Sequence, residues 1–153
     1  MTHELSNCIL GQLELDATIA APPARVWQAL IEEIGKWWPK DFYALPDSAG
    51  MRLEPRVAGR VYEHSGSGAE LLWFTVLALE PEKSLDLTGY LTPAFGGPAL
   101  TMLLLELIPE GSTTILKISE SLLGKVSEGG LQNMRDGWWL IFGEGLKGFV
   151  EGK

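Results

Sequence analysis

The chain has 153 residues, 46% hydrophobic and 21% charged, so one domain over residues 1–153 with a real core is expected, and neither disorder of the whole nor dependence on a metal or disulfide fits. Its 12 Lys and Arg stand against 20 Asp and Glu, a formal net charge of −8, which excludes the basic face of a nucleic-acid reader or of a protein held on an anionic membrane. Cys8 is the only cysteine and His3 and His64 the only histidines, so there is no internal disulfide and no zinc-ligand spacing, and neither metal nor cofactor is expected.

Met1–Asn7 is polar and lacks the basic and apolar regions of a secretory signal. No run approaches the roughly 18 apolar residues of a membrane span. A cytoplasmic protein without membrane association is the expectation.

Along Ile9–Ile19 apolar and polar residues alternate, the period of a half-buried strand. Ala21-Pro22-Pro23 ends it, and a proline suits the first turn of a helix because its missing N–H would be unpaired there. Val26, Trp27, Leu30 and Ile34 follow at helical spacing, with Gly35 as the expected C-terminal cap. From Trp37-Trp38-Pro39 to Gly50 the chain is irregular yet rich in large side chains, including Phe42, Tyr43 and Leu45, and reads as a short helix and loop packed on the domain. Short strands are expected at Met51–Pro55 and Arg60–Ser65, joined by a turn at Val57-Ala58-Gly59. Longer ones follow at Glu70–Glu80, Leu85–Leu91, Leu100–Ile108 and Thr113–Ser121.

Faces follow from the turns. With Glu110-Gly111 as the last hairpin turn, Leu107 stands opposite Thr114, Leu105 opposite Leu116, Leu103 opposite Ile118 and Thr101 opposite Glu120, which makes one face mainly aliphatic. The other face carries Met102, Leu104, Glu106, Ile115 and Lys117 and reads as the outer one. A turn at Glu82-Lys83 groups Phe74, Val76, Ala78, Leu85, Leu87 and Leu91, and sets Trp73, Leu77, Leu79 and Tyr90 on the opposite side. After Gly124 the period becomes helical: Leu131, Met134, Trp138, Ile141, Phe142, Gly145 and Phe149 form one stripe within about Ser127–Glu151. Such a helix needs an apolar surface to cover, and the inner sheet face supplies it.

This order, with Ala21-Pro22-Pro23-Ala24-Arg25-Val26-Trp27-Gln28-Ala29-Leu30, Lys36-Trp37-Trp38-Pro39, Gly59-Arg60-Val61-Tyr62-Glu63, Val76–Pro81 followed by Leu85, and Asp136-Gly137-Trp138, resembles the START-like (SRPBCC) helix-grip superfamily. The similarity spans roughly residues 10–150 and is to the branch named after the activator of Hsp90 ATPase homologue 1. It departs at Ala58, where a second glycine is usual, and in the glycine content of the last helix. The resemblance implies an α+β fold of order β-α-α-β6-α: a curved antiparallel sheet of about six to seven strands wrapped around a long C-terminal helix, with a cavity between them. In the wider superfamily that cavity binds lipids, hormones and polyketides or converts them.

The expected lining is Tyr62, Val76, Leu103, Leu105, Leu116, Ile118, Met134, Trp138 and Phe142, whose aromatic and thioether groups suit a small hydrophobic molecule; a filled core is the alternative. Gly137, Gly143, Gly145 and Gly148 each cost the last helix roughly 0.5–1 kcal/mol relative to alanine, so space for a ligand or close approach to the sheet is anticipated, with tolerance of a weak helix as the alternative. Glu120 is the one acid that the assumed register puts on the aliphatic face, where burial would raise its pKa and fit it as general acid or base or as a ligand's hydrogen-bond partner. The alternative for it is the solvated sheet end, paired with Arg60 or Arg135. No catalytic signature is found: there is no G-x-S-x-G, no phosphate-binding glycine loop, and no histidine near Cys8 on its edge strand.

Ligand binding in the cavity is therefore the leading expectation. The alternatives are an Hsp90 co-chaperone-like interaction module, and an enzyme on an aromatic or polyketide-like substrate using Glu120, Tyr62 or His64. Thr92–Pro98, with Phe95 between a proline and two glycines, reads as either a lid beside Phe42 and Tyr43 or a rigid turn. Trp73, Leu77, Leu79, Tyr90, Met102, Leu104 and Ile115 on the outer face point to a homodimer or partner surface.

Overall fold

The computed structural model describes residues 7–153; Met1–Ser6, most of the N-terminal stretch considered above, lie outside the described residues. The strands are β1 (Ile9–Ile19), β2 (Ser48–Leu53), β3 (Arg60–Ser65), β4 (Glu70–Glu80), β5 (Ser84–Leu91), β6 (Ala99–Glu110) and β7 (Thr113–Gly124). They form a 7-stranded antiparallel sheet in the order β1-β7-β6-β5-β4-β3-β2. Only the first connection departs from hairpin succession, because α1 (Pro23–Glu32), α2 (Ile34–Trp37) and a 3₁₀ turn (Lys40–Phe42) carry the chain from one sheet edge to the other.

The C-terminal helix runs as α3 (Glu128–Trp138), a π-helical segment (Trp139–Leu146) and α4 (Lys147–Glu151). The wide turns of the π segment change the expected stripe: Trp138, Ile141, Phe142 and Leu146 are buried, while Leu131, Met134 and Phe149 are only partly covered. Two of its glycines permit close approach. A Cβ at Gly143 would lie 2.6 Å from the Trp139 ring, and one at Gly145 would lie 3.1 Å from Pro39. Close packing therefore accounts for these two. At its end, Glu151 accepts the Ala20 N–H at 2.8 Å and pairs with Lys147 at 3.1 Å, and these contacts, the backbone one foremost, hold its pKa down to about 2.

Between sheet and helices Val76, Leu103, Leu105, Leu116 and Ile118 are at most 2% exposed, each worth roughly 1.5–3 kcal/mol relative to exposure. The β6–β7 faces match the expected ones, but the register is two residues away: Leu107 pairs with Leu116, Leu105 with Ile118, Leu103 with Glu120 and Thr101 with Leu122. The turn is Gly111-Ser112 rather than Glu110-Gly111, since Gly111 takes the positive φ of 59° that the first central position of a II′ turn needs. A shift of two leaves each side chain on its face.

In β4 the parity does break. Register shifts between Val61/Tyr62 in the β3–β4 ladder and between Val76/Ala78 in the β4–β5 ladder each change the alternation. Ala78 is exposed and Leu79 packs on the core, the reverse of the expected assignment, and Trp73 also packs on the core. Gly35 is not a C-cap: α1 ends at Glu32, Glu33 breaks the helix, and Gly35 lies inside α2, where a Cβ would come 3.0 Å from the Met51 carbonyl.

Candidate functional site

The core does not fill the whole grip. At one end a cavity of about 560 Å³ remains between the sheet and α3. Its position follows from the β4–β5 ladder, which runs from Glu80–Ser84 only as far as Thr75–Thr88. Beyond that point Leu71–Phe74 of β4 and Tyr90–Leu91 of β5 both line the cavity. Met134, Gly137 and Trp138 of α3 with Ile141 of the π segment form the helical wall, Phe42 and Ala44 close one side, and Thr92 and Phe95 lie on another.

The polar groups inside are few. Glu120, 4% exposed, reaches in from β7. Its Oε1 accepts the Thr101 hydroxyl at 2.9 Å and its Oε2 accepts the Trp138 Nε1–H. Thr101 and Glu120 are not directly opposite in the ladder, yet as diagonal neighbours on one face they meet. The Thr101 carbonyl in turn accepts the Thr88 hydroxyl at 3.0 Å, linking β5 to the same array. Burial pushes the Glu120 carboxyl above its ordinary range, against the hydrogen bonds from Trp138 and Thr101. Such a group either accepts a hydrogen bond or, when protonated, donates one. The Trp138 ring is fixed by stacking on Phe142 at 5.5 Å between centroids and by tilted contact with Phe74 at 6.0 Å.

A second buried acid braces the wall. Glu63 of β3, fully buried, accepts the Ala44 N–H at 2.8 Å, the Leu45 N–H at 3.1 Å and the Trp73 Nε1–H at 2.8 Å. Trp73 meets Trp38 edge-on at 5.3 Å, and the Trp38 Nε1–H donates to the Phe42 carbonyl at 3.2 Å. The Trp37-Trp38 pair thus holds the segment that presents Phe42 and Ala44 to the cavity, with Trp37 tied back to the Ala29 carbonyl at 2.8 Å.

Of the side chains expected to line the cavity, Glu120, Met134 and Trp138 do so. Val76, Leu103, Leu105, Leu116, Ile118 and Phe142 are instead part of the packed core beside it. Tyr62 does not line it: its ring lies under the Arg60 guanidinium, 4.4 Å from centroid to Cζ, displaced by the β3 irregularity. His64 sits half-buried between Gly50 and Glu70 in the ladder, also outside the lining, so Glu120, Tyr62 and His64 are not brought together. Phe42 and Phe95 both line the cavity while Tyr43 does not. Glu63, Trp73, Phe74 and Thr101 are the site residues that sequence reasoning did not assign. An alternation starting from Val61 rather than Tyr62 puts Glu63 on the inner face, and that was the available signal. Among the described residues no three His, Cys, Asp or Glu side chains are grouped to hold a metal ion, and no helix is long and apolar enough to cross a membrane.

The family model described as activator of Hsp90 ATPase homolog 1-like protein matches residues 20–151, and the chain belongs to that family. No curated protein matches it. Among solved structures, protein MLL2253 from Mesorhizobium loti is 23% identical, with 94% of this chain and 98% of that one covered at a TM-score of 0.65. Protein CV1439 from Chromobacterium violaceum is 21% identical, with 92% and 96% covered at 0.67. Ara h 8.0201 is 15% identical, with 94% and 99% covered at 0.68. These likenesses show the fold, a helix-grip architecture in which a curved sheet closes on a C-terminal helix.

Proposed function

We propose that this member of the activator of Hsp90 ATPase homolog 1-like family acts as one domain over residues 1–153 that binds a small hydrophobic molecule between the sheet and the C-terminal helix. The observation that carries the reading is the cavity of about 560 Å³, within the size range of small-molecule sites, with aromatic walls and one buried carboxyl among few polar groups. A cytoplasmic setting is part of the proposal, supported by the exposed, unpaired thiol of Cys8.

The outer sheet face supports a second reading, self-association. Leu10, Leu123 and Leu100 stand in one register row across β1, β7 and β6, and Met102 and Leu104 continue the apolar surface along β6. All of them are exposed. An apolar row across several strands is the kind of surface that a second copy covers.

Native mass spectrometry of the purified chain, followed by a ligand screen read by tryptophan fluorescence, tests both. A bound small molecule, or a ligand-induced quench that is lost in Trp138→Phe, is the expected result for the cavity. An empty protein that answers to no apolar ligand overturns the binding role. A mass of one chain at micromolar concentration overturns the self-association.

A further inference from the structure

Any molecule that enters the cavity meets walls of a definite sign. Trp138, Trp73, Phe74, Phe42 and Phe95 supply aromatic surface, the charged lining groups are Glu120 and Glu70, and no Lys, Arg or His is among the lining residues. Glu70, at the exposed rim, has the Arg60 guanidinium 3.9 Å away. Among the described residues Glu120 has no cationic partner. Its partners, the Thr101 hydroxyl at 2.9 Å and the Trp138 indole, are neutral donors on opposite walls. Arg135, on the same helix as Trp138, donates instead to the Glu14 carbonyl at 3.3 Å.

Aromatic faces carry the negative part of a quadrupole and attract cations, most strongly where water is excluded. A buried carboxylate lacking a counter-ion adds the same preference, and it opposes a second anion at close range through the low effective dielectric. We propose that the cavity selects an organic cation: a small apolar amine whose ammonium group is held at Glu120 and whose hydrocarbon part lies against Trp138, Phe74 and Trp73. This rests on the ligand-binding role above and adds to it the charge of the ligand. Apolar carboxylic acids of equal size are disfavoured, because their charge would face Glu120 with no basic group to receive it.

The test is isothermal titration of the full chain at neutral pH with three probes of one size: naphthylethylamine, naphthylethanol and naphthylacetate. The amine is expected to bind at least about 10-fold tighter than the alcohol, and the acid more weakly than either. In Glu120→Gln the ratio of amine to alcohol affinity is expected to fall to near one. An amine no tighter than the alcohol in the wild-type protein, or an acid that binds best, overturns the cation preference, while binding of the alcohol keeps the cavity role. Absence of binding by all three overturns both. Should Glu120→Gln fail to fold, the order of affinities in the wild-type protein decides alone.

Discussion

Replacing Glu63 by Gln alters one end of one side chain, yet the structure assigns it a sizeable effect. Oε2 of Glu63 accepts from Ala44 N–H and Trp73 Nε1–H, both at 2.8 Å, and Oε1 accepts from Leu45 N–H at 3.1 Å. A glutamine has one acceptor oxygen, so with its oxygen in the Oε2 position two of these bonds survive and its amide N–H₂ confronts the Leu45 N–H. Leaving a buried donor unmet costs about 1–3 kcal/mol. Near the middle of that range the melting temperature falls by roughly 4–8 °C, taking about 2–4 °C per kcal/mol for a chain of this size. Glu63→Leu removes the acceptors of all three donors and is expected to cost about 3–6 kcal/mol, limited by water reaching the half-buried Ala44 and Leu45.

Urea unfolding followed by circular dichroism measures both variants against the wild type. The loss should be accompanied by faster hydrogen exchange at Ala44 and Leu45, the amides that Glu63 holds. A Gln variant within about 0.5 kcal/mol of wild type would refute the argument that these bonds brace the cavity wall. So would unchanged exchange at both amides.

Glu120 and Ala58 provide two further predictions. Because burial raises the folded-state pKa of Glu120 above its ordinary value of 4.5, the native state holds more protons than the unfolded chain between those two values, and stability falls as pH rises through that window. Glu120→Gln should therefore gain stability relative to wild type as pH is raised from about 4 to 8, and a parallel pair of stability–pH curves would contradict the burial effect. Ala58 holds a φ of 64°, left-handed backbone where a Cβ costs about 1–2 kcal/mol, so Ala58→Gly should stabilise by about 0.5–1 kcal/mol once glycine's larger unfolded-state entropy is counted. An unchanged or lowered urea midpoint for Ala58→Gly would refute this.

The strands and their faces were legible wherever alternation ran unbroken. On β6 and β7 the apolar period fixed which residues point inward even though the register was displaced, because a two-residue shift preserves parity. On β3 and β4 it failed, since the irregularities beside Val61 and Val76 each reset the alternation and nothing in Leu71–Leu79 distinguishes an extra residue from a regular one. The consequences are local and concentrated at the site: Trp73 reads as outward although it packs inward, Tyr62 is buried yet stands outside the cavity it is expected to line, and Glu63 goes unassigned. Ala58 shows the opposite case. The family pattern of a second glycine at that position already carried the backbone requirement that its φ of 64° makes explicit. The π segment was not readable, because its glycines and apolar residues also suit an ordinary helix in close contact with a sheet.

Two buried acids in one small domain invite the question of which is structural and which is available to a ligand, and counting acceptor sites answers it. An ionised carboxyl offers about four lone-pair positions. Glu63 meets three donors, two of them backbone amides, in a fully buried position, and does not line the cavity. Glu120 meets two donors, both side chains, one on the sheet and one on the helix, and it lines the cavity. Its remaining acceptor capacity is what a bound amine would use, and the same two donors make that binding sensitive to the grip itself. Drawing Trp138 away from Glu120 would remove a hydrogen bond but also admit water to the carboxyl, and since burial is the larger influence the group would become easier to ionise as the cavity widened. Closing the helix on the sheet restores that bond together with the burial, and on balance disfavours an uncompensated charge. An ammonium group held at Glu120 therefore stabilises the closed grip, which joins ligand charge to helix position through one carboxyl and one indole.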